Sequence, residues 1–322
     1  MKRMLKWLGI LLGLVLLVAI GAGLYINYAP FPSHPVKAPA LTVTPDSAMV
    51  AEGRRIASLL CMKCHMGEDG KLSGRHMADL PAEFGKAWAP NITHGPKSKL
   101  TGYTDGELAY LIRTGIKRNG QYAPPWMVKL PLISDQDLNA VIAWLRSEDP
   151  VLQASDAVQP APEPSFLAKF LVRIGAFAPL PFPTGPIAHP DSTDKVAFGR
   201  YLAVGKVDCF GCHSPDFKTM NPLEPEKTAG FFSGGNGMPN LEGEVIYTRN
   251  LTPDPETGIG NWTEEQFIKA VKFGQRDGKP AVRYPMEPYP ALTDYEVSSI
   301  FAYLKTVPAI RHDVDAIAAG GK

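Results

Sequence analysis

Cysteine is scarce in this chain, and its placement excludes several uses. Only four cysteines occur among the 322 residues, and all four lie inside two five-residue strings. No thiol is left over for a structural disulfide or for a lipid anchor. The chain also lacks an excess of charge of one sign, because it has 33 basic and 32 acidic residues. No long run of basic residues occurs. A nucleic-acid partner is therefore not expected.

The two strings are Cys61-Met62-Lys63-Cys64-His65 and Cys209-Phe210-Gly211-Cys212-His213. C-x-x-C-H is the attachment pattern of c-type haem, in which two thiols bond to the vinyl groups and the His supplies the proximal nitrogen to iron. A zinc site would have to combine ligands from strings 148 residues apart, and a thioredoxin-like dithiol does not need the His. We therefore predict two covalently attached haem c groups, held by Cys61, Cys64, His65, Cys209, Cys212 and His213.

Charge is absent from the segment between Trp7 and Tyr25, where all 19 residues are apolar or glycine. About 20 such residues span a bilayer as a helix. Three basic residues precede the run: Lys2, Arg3 and Lys6. They predict a cytoplasmic N-terminus, with the rest of the chain on the opposite side. We expect an uncleaved transmembrane anchor at residues 1–28; the alternative is a cleaved signal peptide, whose apolar core is shorter.

Proline divides the remaining chain. Nine prolines fall between Pro150 and Pro190, where they oppose both helix interiors and central strands. We predict three units: a domain at 45–150, a proline-rich linker at 151–190 and a second domain at 191–312. Apolar residues at helical spacing between Phe166 and Ile174 predict a short amphipathic helix within the linker. We favour its packing between the domains over contact with a membrane or a partner subunit.

The two predicted domains repeat each other. Asn91-Ile92-Thr93 aligns with Asn250-Leu251-Thr252 at an offset of 159 residues, and the next 60 positions need no gap. Hydroxyl residues followed three positions later by an acidic or amide residue predict helix starts in both halves. These N-cap candidates are Thr104, Ser134, Thr263 and Thr293. No strand alternation is evident, so an all-α fold is expected.

One methionine in each half lies at an equivalent position. Met127 and Met286 each follow the Asn of the Asn-x-Thr segment by 36 residues. A thioether suits haem iron, so we predict iron ligation by His65 with Met127 and by His213 with Met286; the alternative for each Met is to fill a gap in the core.

His76 and His94 are lower-ranked alternatives to Met127 as distal ligand, whereas His189 and His312 are expected to be solvated. Asn91 and Asn250 have two equal interpretations, a hydrogen bond to a haem propionate or the closing of a turn.

Each half resembles a class I cytochrome c domain, and the tandem is similar to the cytochrome c subunits of bacterial periplasmic alcohol and gluconate dehydrogenases. The resemblance covers roughly residues 45–150 and 190–310. It is carried by Cys209 to His213, by Asn250 to Trp262 (NLTPDPETGIGNW), by Asp277-Gly278 and by Leu292-Thr293-Asp294. In the first half His94-Gly95 stands where that loop has Pro-Asp. The dehydrogenase subunits usually have three haems, and here the anchor is N-terminal, so a dihaem subunit of a cytochrome oxidase is the alternative.

The resemblance and the motifs together predict an electron-transfer protein with no activity alone. We expect a single-pass protein of the cytoplasmic (inner) membrane whose haem domains lie on the periplasmic side. Its expected partners are redox proteins such as a dehydrogenase, a terminal oxidase or another respiratory complex. The competing hypothesis is a dihaem peroxidase-like enzyme, which needs one haem with an open position.

Overall fold

The computed structural model describes residues 2–318 and Gly320 and is mostly helical. Most helices fall into two similar sets, one in each half of the chain, and a long apolar helix precedes both. The α-helices are α1 Lys2–Tyr28, α2 Ser47–Leu59, α3 Cys61–His65, α4 Asp105–Thr114, α5 Asp135–Leu145, α6 Phe166–Arg173, α7 Lys195–Arg200, α8 Cys209–His213, α9 Glu264–Phe273, α10 Asp294–Leu304 and α11 Val314–Ala318.

Short strands modify the expected all-α architecture. Six strands of two or three residues form three antiparallel pairs, which are too short to leave a period-two pattern in the sequence. The pairs are β1 Arg75–His76 with β3 Trp88–Ala89, β2 Gly85–Lys86 with β4 Glu163–Pro164, and β5 Gly237–Pro239 with β6 Val245–Tyr247. These strand pairs stabilise the long loops that follow each C-x-x-C-H string.

The repeat predicted the later helices of both halves correctly. Helices α4 and α9, and likewise α5 and α10, begin and end at residues separated by the same offset of 159. Thr104, Thr263 and Thr293 each form a complete capping box. Ser134 also caps its helix, but the carboxylate at the third position, Asp137, does not reach back to it. That carboxylate is used elsewhere, as described below.

Glycine permits the tight crossing of the first and last helices in each half. A Cβ on Gly53 of α2 would lie 1.9 Å from the Ala140 carbonyl oxygen of α5, and one on Gly199 of α7 would lie 1.8 Å from the Ser299 oxygen of α10. Such distances are far below van der Waals contact. The two backbones therefore approach as closely as only glycine allows.

The helix before the second C-x-x-C-H string contains a π-helical segment, Tyr201–Lys206. Ten positions separate Gly199 from Cys209, against eight between Gly53 and Cys61. The wider π turn accommodates extra residues without moving the helix crossing or the string. This difference was not predicted from the sequence.

Two hydrophobic clusters fill the halves, and they meet. One contains Trp144, which is fully buried, with α2, α4 and α5 around it. The other contains Phe232 and the facing residues of α7, α9 and α10. Leu59, the last residue of α2 in the first half, belongs to the second cluster and is only 2% exposed. The halves thus share apolar packing.

A buried polar cluster lies where the halves meet. Lys206 Nζ lies 2.7 Å from Glu52 and 3.1 Å from Asp137, and both Lys206 and Asp137 side chains are 2% exposed. Tyr201 donates its hydroxyl to Asp137. Burial alone would raise the pKa of Glu52, but hydrogen bonds from Arg55 and the Lys206 charge outweigh it and lower that pKa. The cluster is therefore charged and internally compensated.

Further contacts extend this interface. Arg55 of α2 makes a two-pronged pair with Glu296 of α10, at 2.7 and 2.8 Å. His189 is not solvated as expected, because its ring packs on Phe198 and Tyr201 with centroids 5.8 and 5.2 Å away. Arg55 and Glu296 are 241 positions apart in the chain, whereas Phe198 and Tyr201 follow His189 by 9 and 12 positions.

Helix α1 is the one helix of the described residues that is long and apolar enough to cross a membrane. Length and composition alone do not separate an anchor from a signal sequence. Helix α6 confirms the predicted amphipathic segment, yet it does not pack between the halves. It contacts the end of α1 and the 3-10 helix Ala82–Phe84 of the first half, so the favoured interpretation of its position was wrong.

Candidate functional site

Each C-x-x-C-H string forms one helical turn, α3 in the first half and α8 in the second. Burial raises the pKa of Cys61 to about 11 and those of Cys209 and Cys212 to about 12. Reactive dithiols instead have depressed pKa values. Among the described residues no group of three or more His, Cys, Asp and Glu side chains could hold a metal ion. A thioredoxin-like pair and a zinc site are both disfavoured.

The histidine that ends each string is held in the same way. His65 Nδ1 lies 2.8 Å from the Pro90 carbonyl oxygen, and His213 Nδ1 lies 2.8 Å from that of Arg249. Burial lowers the pKa of both rings, so both are neutral near pH 7. With Nδ1–H donating to the carbonyl, Nε2 keeps a free lone pair for a metal. The strings and their histidines therefore fit a c-type haem.

Pro90 and Arg249 were missed by sequence reasoning. Each acts through its backbone carbonyl, which carries no residue-type signal. The only available signal was position, because each directly precedes the repeated Asn-x-Thr segment. The repeat thus marks the loop that orients the proximal imidazole.

Asn91 and Asn250 close turns, which resolves the two equal interpretations. Each Oδ1 accepts from both the backbone N–H and the hydroxyl of the Thr two residues later, Thr93 or Thr252. The two N–H groups of each amide are also used within the chain: Asn91 donates to the Ser155 and Ala157 oxygens, and Asn250 to Thr257 and Ile310. No amide donor remains for a propionate.

Replacing Asn250 with alanine should lower the free energy of unfolding of the second half by about 2 kcal/mol, since the buried groups it bonds lose their partners. Denaturant unfolding of the haem-loaded protein measures this. Asn261→Ala is the matched control, because that side chain makes one exposed hydrogen bond and should change stability by less than about 0.5 kcal/mol. Equal effects of the two variants would contradict the role given to Asn250.

Met127 and Met286 occupy equivalent turns, Met127 between α4 and α5 and Met286 between α9 and α10. Met127 N–H donates to the Pro124 carbonyl at 3.0 Å, and Met286 N–H to that of Arg283 at 3.1 Å. Both side chains are half-buried. The loops are thus built alike, and ligation of iron by the two sulfur atoms remains our prediction.

Local contacts occupy the histidines ranked below Met127. His94 Nε2 lies 2.8 Å from the Leu145 carbonyl oxygen at the end of α5. The His76 ring packs on Trp88 with centroids 5.1 Å apart. His312, expected to be solvated, bonds the Ser233 carbonyl. These rings have structural roles, which favours Met127 over His76 and His94.

Two half-buried ionisable residues beside the predicted ligands were not anticipated. Burial raises the pKa of Asp208 to about 7, and its carboxylate lies so close to the next turn that a Cβ on Gly211 would be 2.6 Å away. A larger residue at this position would require the Asp208 side chain to move. In the first half, burial lowers the pKa of Lys129 to about 7; its ammonium donates to the Pro124 carbonyl in the Met127 loop.

The two predicted haem sites adjoin each other. Lys63, inside the first string, lies 3.4 Å from the carboxylate of Glu287 and 3.8 Å from the ring centroid of Tyr289. Both partners belong to the loop that carries Met286. Tyr284 in the same loop donates to Asp79 of the first half. The first attachment turn therefore contacts the second methionine loop directly.

Comparison with known proteins gives a consistent result. A family profile described as cytochrome c matches residues 50–149. The chain is 28% identical over 286 residues to the cytochrome c subunit of a quinone alcohol dehydrogenase from Gluconacetobacter polyoxogenes, covering 84% of this chain and 59% of that protein. It is 38% identical over 288 residues to the fructose dehydrogenase cytochrome subunit of Gluconobacter japonicus, covering 85% and 56%.

A third relative is similar in length. This is a diheme cytochrome c-type protein of Cereibacter sphaeroides, 26% identical over 307 residues, which cover 92% of this chain and 96% of that protein. By contrast, the chain spans less than two thirds of the two dehydrogenase subunits. The similarity extends through both halves of the chain.

Proposed function

We propose that this protein is a membrane-tethered dihaem cytochrome c that relays single electrons in a bacterial respiratory or photosynthetic electron-transfer chain. A cytochrome c profile matches residues 50–149, and the chain is similar along most of its length to cytochrome subunits of dehydrogenases and to a diheme cytochrome c-type protein. A cytochrome c domain implies covalently bound haem c, which would supply a one-electron change at iron. We propose two haems because the chain has two C-x-x-C-H strings.

The chain's own residues would hold each haem in a fixed setting. Cys61, Cys64 and His65 attach the first, and Cys209, Cys212 and His213 the second. The carbonyls of Pro90 and Arg249 fix the histidine rings. Met127 and Met286 would fill the remaining iron positions, which leaves no place for a substrate. This favours electron transfer over peroxidase chemistry.

The observation that carries the relay is the contact between the two sites. Lys63 of the first attachment turn touches Glu287 and Tyr289 of the second methionine loop, and Leu59 just before that turn is buried in the second half's core. Such packing supports a fixed, short separation between the two redox centres. An electron can then cross within one molecule.

The partner and location follow from the relatives and from α1. Two relatives are named as cytochrome subunits of dehydrogenases, which supports a dehydrogenase as the donor. We place α1 across the inner membrane and both halves on the periplasmic side, as the N-terminal basic residues indicate. Copurification from detergent-solubilised membranes, with the partners identified by mass spectrometry, would test the partner, and protease accessibility of the two halves in intact spheroplasts would test the periplasmic location.

Met286→His should lower one of two reduction potentials and leave the other unchanged, because imidazole in place of thioether favours oxidised iron. We expect a fall on the order of 0.1 V or more, within the roughly 0.8 V that axial ligands span. Met127→His should shift the other potential. A spectroscopic redox titration of the purified protein, combined with the near-infrared band of Met-ligated haem, measures both.

Met238→His is the matched control, since Met238 lies in β5, outside the two methionine loops, and should shift neither potential. A pyridine haemochrome assay that found only one haem per chain would contradict the two-haem proposal. Binding of carbon monoxide to the reduced parent at neutral pH would show an open iron position and would favour the peroxidase-like alternative.

A further inference from the structure

Helix α6 carries an exposed apolar face that nothing in the described structure covers. We define the α6 apolar face as Phe166, Leu167, Phe170 and Ile174, whose side chains are 52%, 42%, 37% and 58% exposed. On a helix with 3.6 residues per turn these four positions fall within about 100° of arc. The opposite side is the packed one, where Ala168 is buried.

The start of α6 is fixed to the first half. Ser165 caps the helix by accepting from Ala168 N–H, and its own hydroxyl donates to the Glu83 carbonyl. Strand β4, directly before the helix, pairs with β2. The Phe177 ring, after the helix, packs on Phe84 with centroids 5.8 Å apart. Helix α6 is therefore held on the first half from both ends.

Two cations on α6 hold the last turn of α1. Lys169 Nζ donates to the Asn27 carbonyl at 3.1 Å and to its side-chain oxygen at 2.8 Å. Arg173 donates to the carbonyls of Ile26, Ala29 and Pro30. These carbonyls lie at a helix C-terminus, where backbone acceptors are free and positive charge is favourable. The pairing fixes α6 beside the point where α1 ends.

Aromatic residues lie at the same level. The Arg173 guanidinium is 5.0 Å from the Tyr25 ring centroid and 5.7 Å from that of Phe31. Tyr25 and Tyr28 are 63% and 76% exposed. Aromatic side chains of this kind are enriched at the boundary between lipid and water. The end of α1 therefore has the composition of a membrane interface.

We infer that the α6 apolar face lies on the outer surface of the same lipid bilayer that α1 spans, so that the first half is held against the membrane in one orientation. The occupant is lipid rather than a protein partner, because the face is continuous with the end of an apolar membrane-length helix and is clamped to it. Amphipathic helices bind membranes in this way, with the apolar side in the headgroup region. The inference rests on the proposed anchoring of α1.

Spin labels on the full haem-loaded chain test this in vesicles of phosphatidylethanolamine and phosphatidylglycerol. Labels are placed through Phe170→Cys, through Leu241→Cys in the second half, which is 63% exposed, and through Leu16→Cys within α1. The four native cysteines are bonded to haem in the loaded chain, so the parent chain, treated identically, gives only the background of non-specific labelling. Relaxation by oxygen reports lipid, and relaxation by a water-soluble nickel chelate reports water.

We expect the ratio of oxygen to nickel relaxation to be several-fold higher at position 170 than at 241, and highest at 16. Equal ratios at 170 and 241, with position 16 in lipid, would overturn the inference while leaving the anchor intact; the face would then be assigned to a protein partner. A water-exposed position 16 would overturn the anchoring itself.

Lys169→Gln combined with Arg173→Gln tests the clamp. The ratio at position 170 should fall several-fold towards that of position 241, while position 16 keeps its value. An unchanged ratio at 170 would overturn the clamp as the cause of the orientation. The matched control is Lys195→Gln with Lys272→Gln, two cations of the second half whose pairs do not involve α1.

Discussion

Lys206→Met should lower the free energy of unfolding by about 3–5 kcal/mol, the usual loss when one partner of a buried ion pair is removed. The ammonium of Lys206 lies between Glu52 and Asp137. Methionine fills a similar volume but leaves the buried Asp137 carboxylate without its ammonium partner, while Glu52 keeps only Arg55. Because these residues come from both halves, we also expect the single unfolding transition to separate into two. Denaturant unfolding followed by circular dichroism and by haem absorbance measures both effects.

Lys195→Met is the matched control, being the same change a few residues earlier in the chain. Its pair with Glu264 is exposed on both sides, and exposed pairs contribute about 1 kcal/mol or less. Adding Asp137→Asn to Lys206→Met should restore part of the loss, since the uncompensated charge is removed while the amide oxygen still accepts from Tyr201. A loss at Lys206 no larger than at Lys195 would contradict the buried cluster.

Gly199→Ala is expected to cost stability at or above the upper end of the about 1–3 kcal/mol typical of overpacking. Two effects oppose each other here. Alanine favours a helix by roughly 1 kcal/mol over glycine, but its Cβ would lie 1.8 Å from the Ser299 carbonyl oxygen. Backbone cannot yield as a flexible side chain does, so α7 and α10 must separate. Thermal unfolding of the haem-loaded protein measures the loss.

Gly185→Ala is the control, because nothing lies within 4 Å of its added Cβ; its stability should change by less than about 0.5 kcal/mol. The sign of the change in stability caused by Gly199→Ala shows whether the steric clash or the helix propensity prevails. A more stable Gly199→Ala protein would mean that helix propensity prevails and that the helices do not cross as closely as described. Gly53→Ala should act on the first half in the same way.

Motifs formed by residues close together in the chain could be predicted from the sequence. The hydroxyl at Thr104 and the carboxylate three residues later predicted a capping box, and Thr263 and Thr293 repeated the signal. Such motifs involve neighbours in the chain, so their partners are visible in one window. The C-x-x-C-H strings likewise carry their signal within five consecutive residues. The repeat then supplied the spacing of both methionine loops.

Contacts between residues that are distant in the chain could not be predicted from the sequence. Asp137 resembled one more capping carboxylate, yet it bonds Tyr201 and Lys206 from the other half. His189 resembled a solvated loop histidine, yet its ring packs on nearby aromatic rings and its Nε2 lies 4.0 Å from Asp137 of the first half. A single sequence gives no information about which distant residues meet. The carbonyl acceptors of His65 and His213 were hidden for another reason, since any residue provides a carbonyl.

The shared packing of Leu59 has a practical consequence for anyone who would separate the two halves. Leu59 ends a helix of the first half, yet its side chain is buried in the other cluster. If the chain were divided within the proline-rich linker, Leu59 would be exposed to water on the first fragment. Its absence would leave a cavity in the hydrophobic cluster of the second fragment. Apolar packing crosses the predicted boundary, and we expect neither fragment to be as soluble as the intact polypeptide.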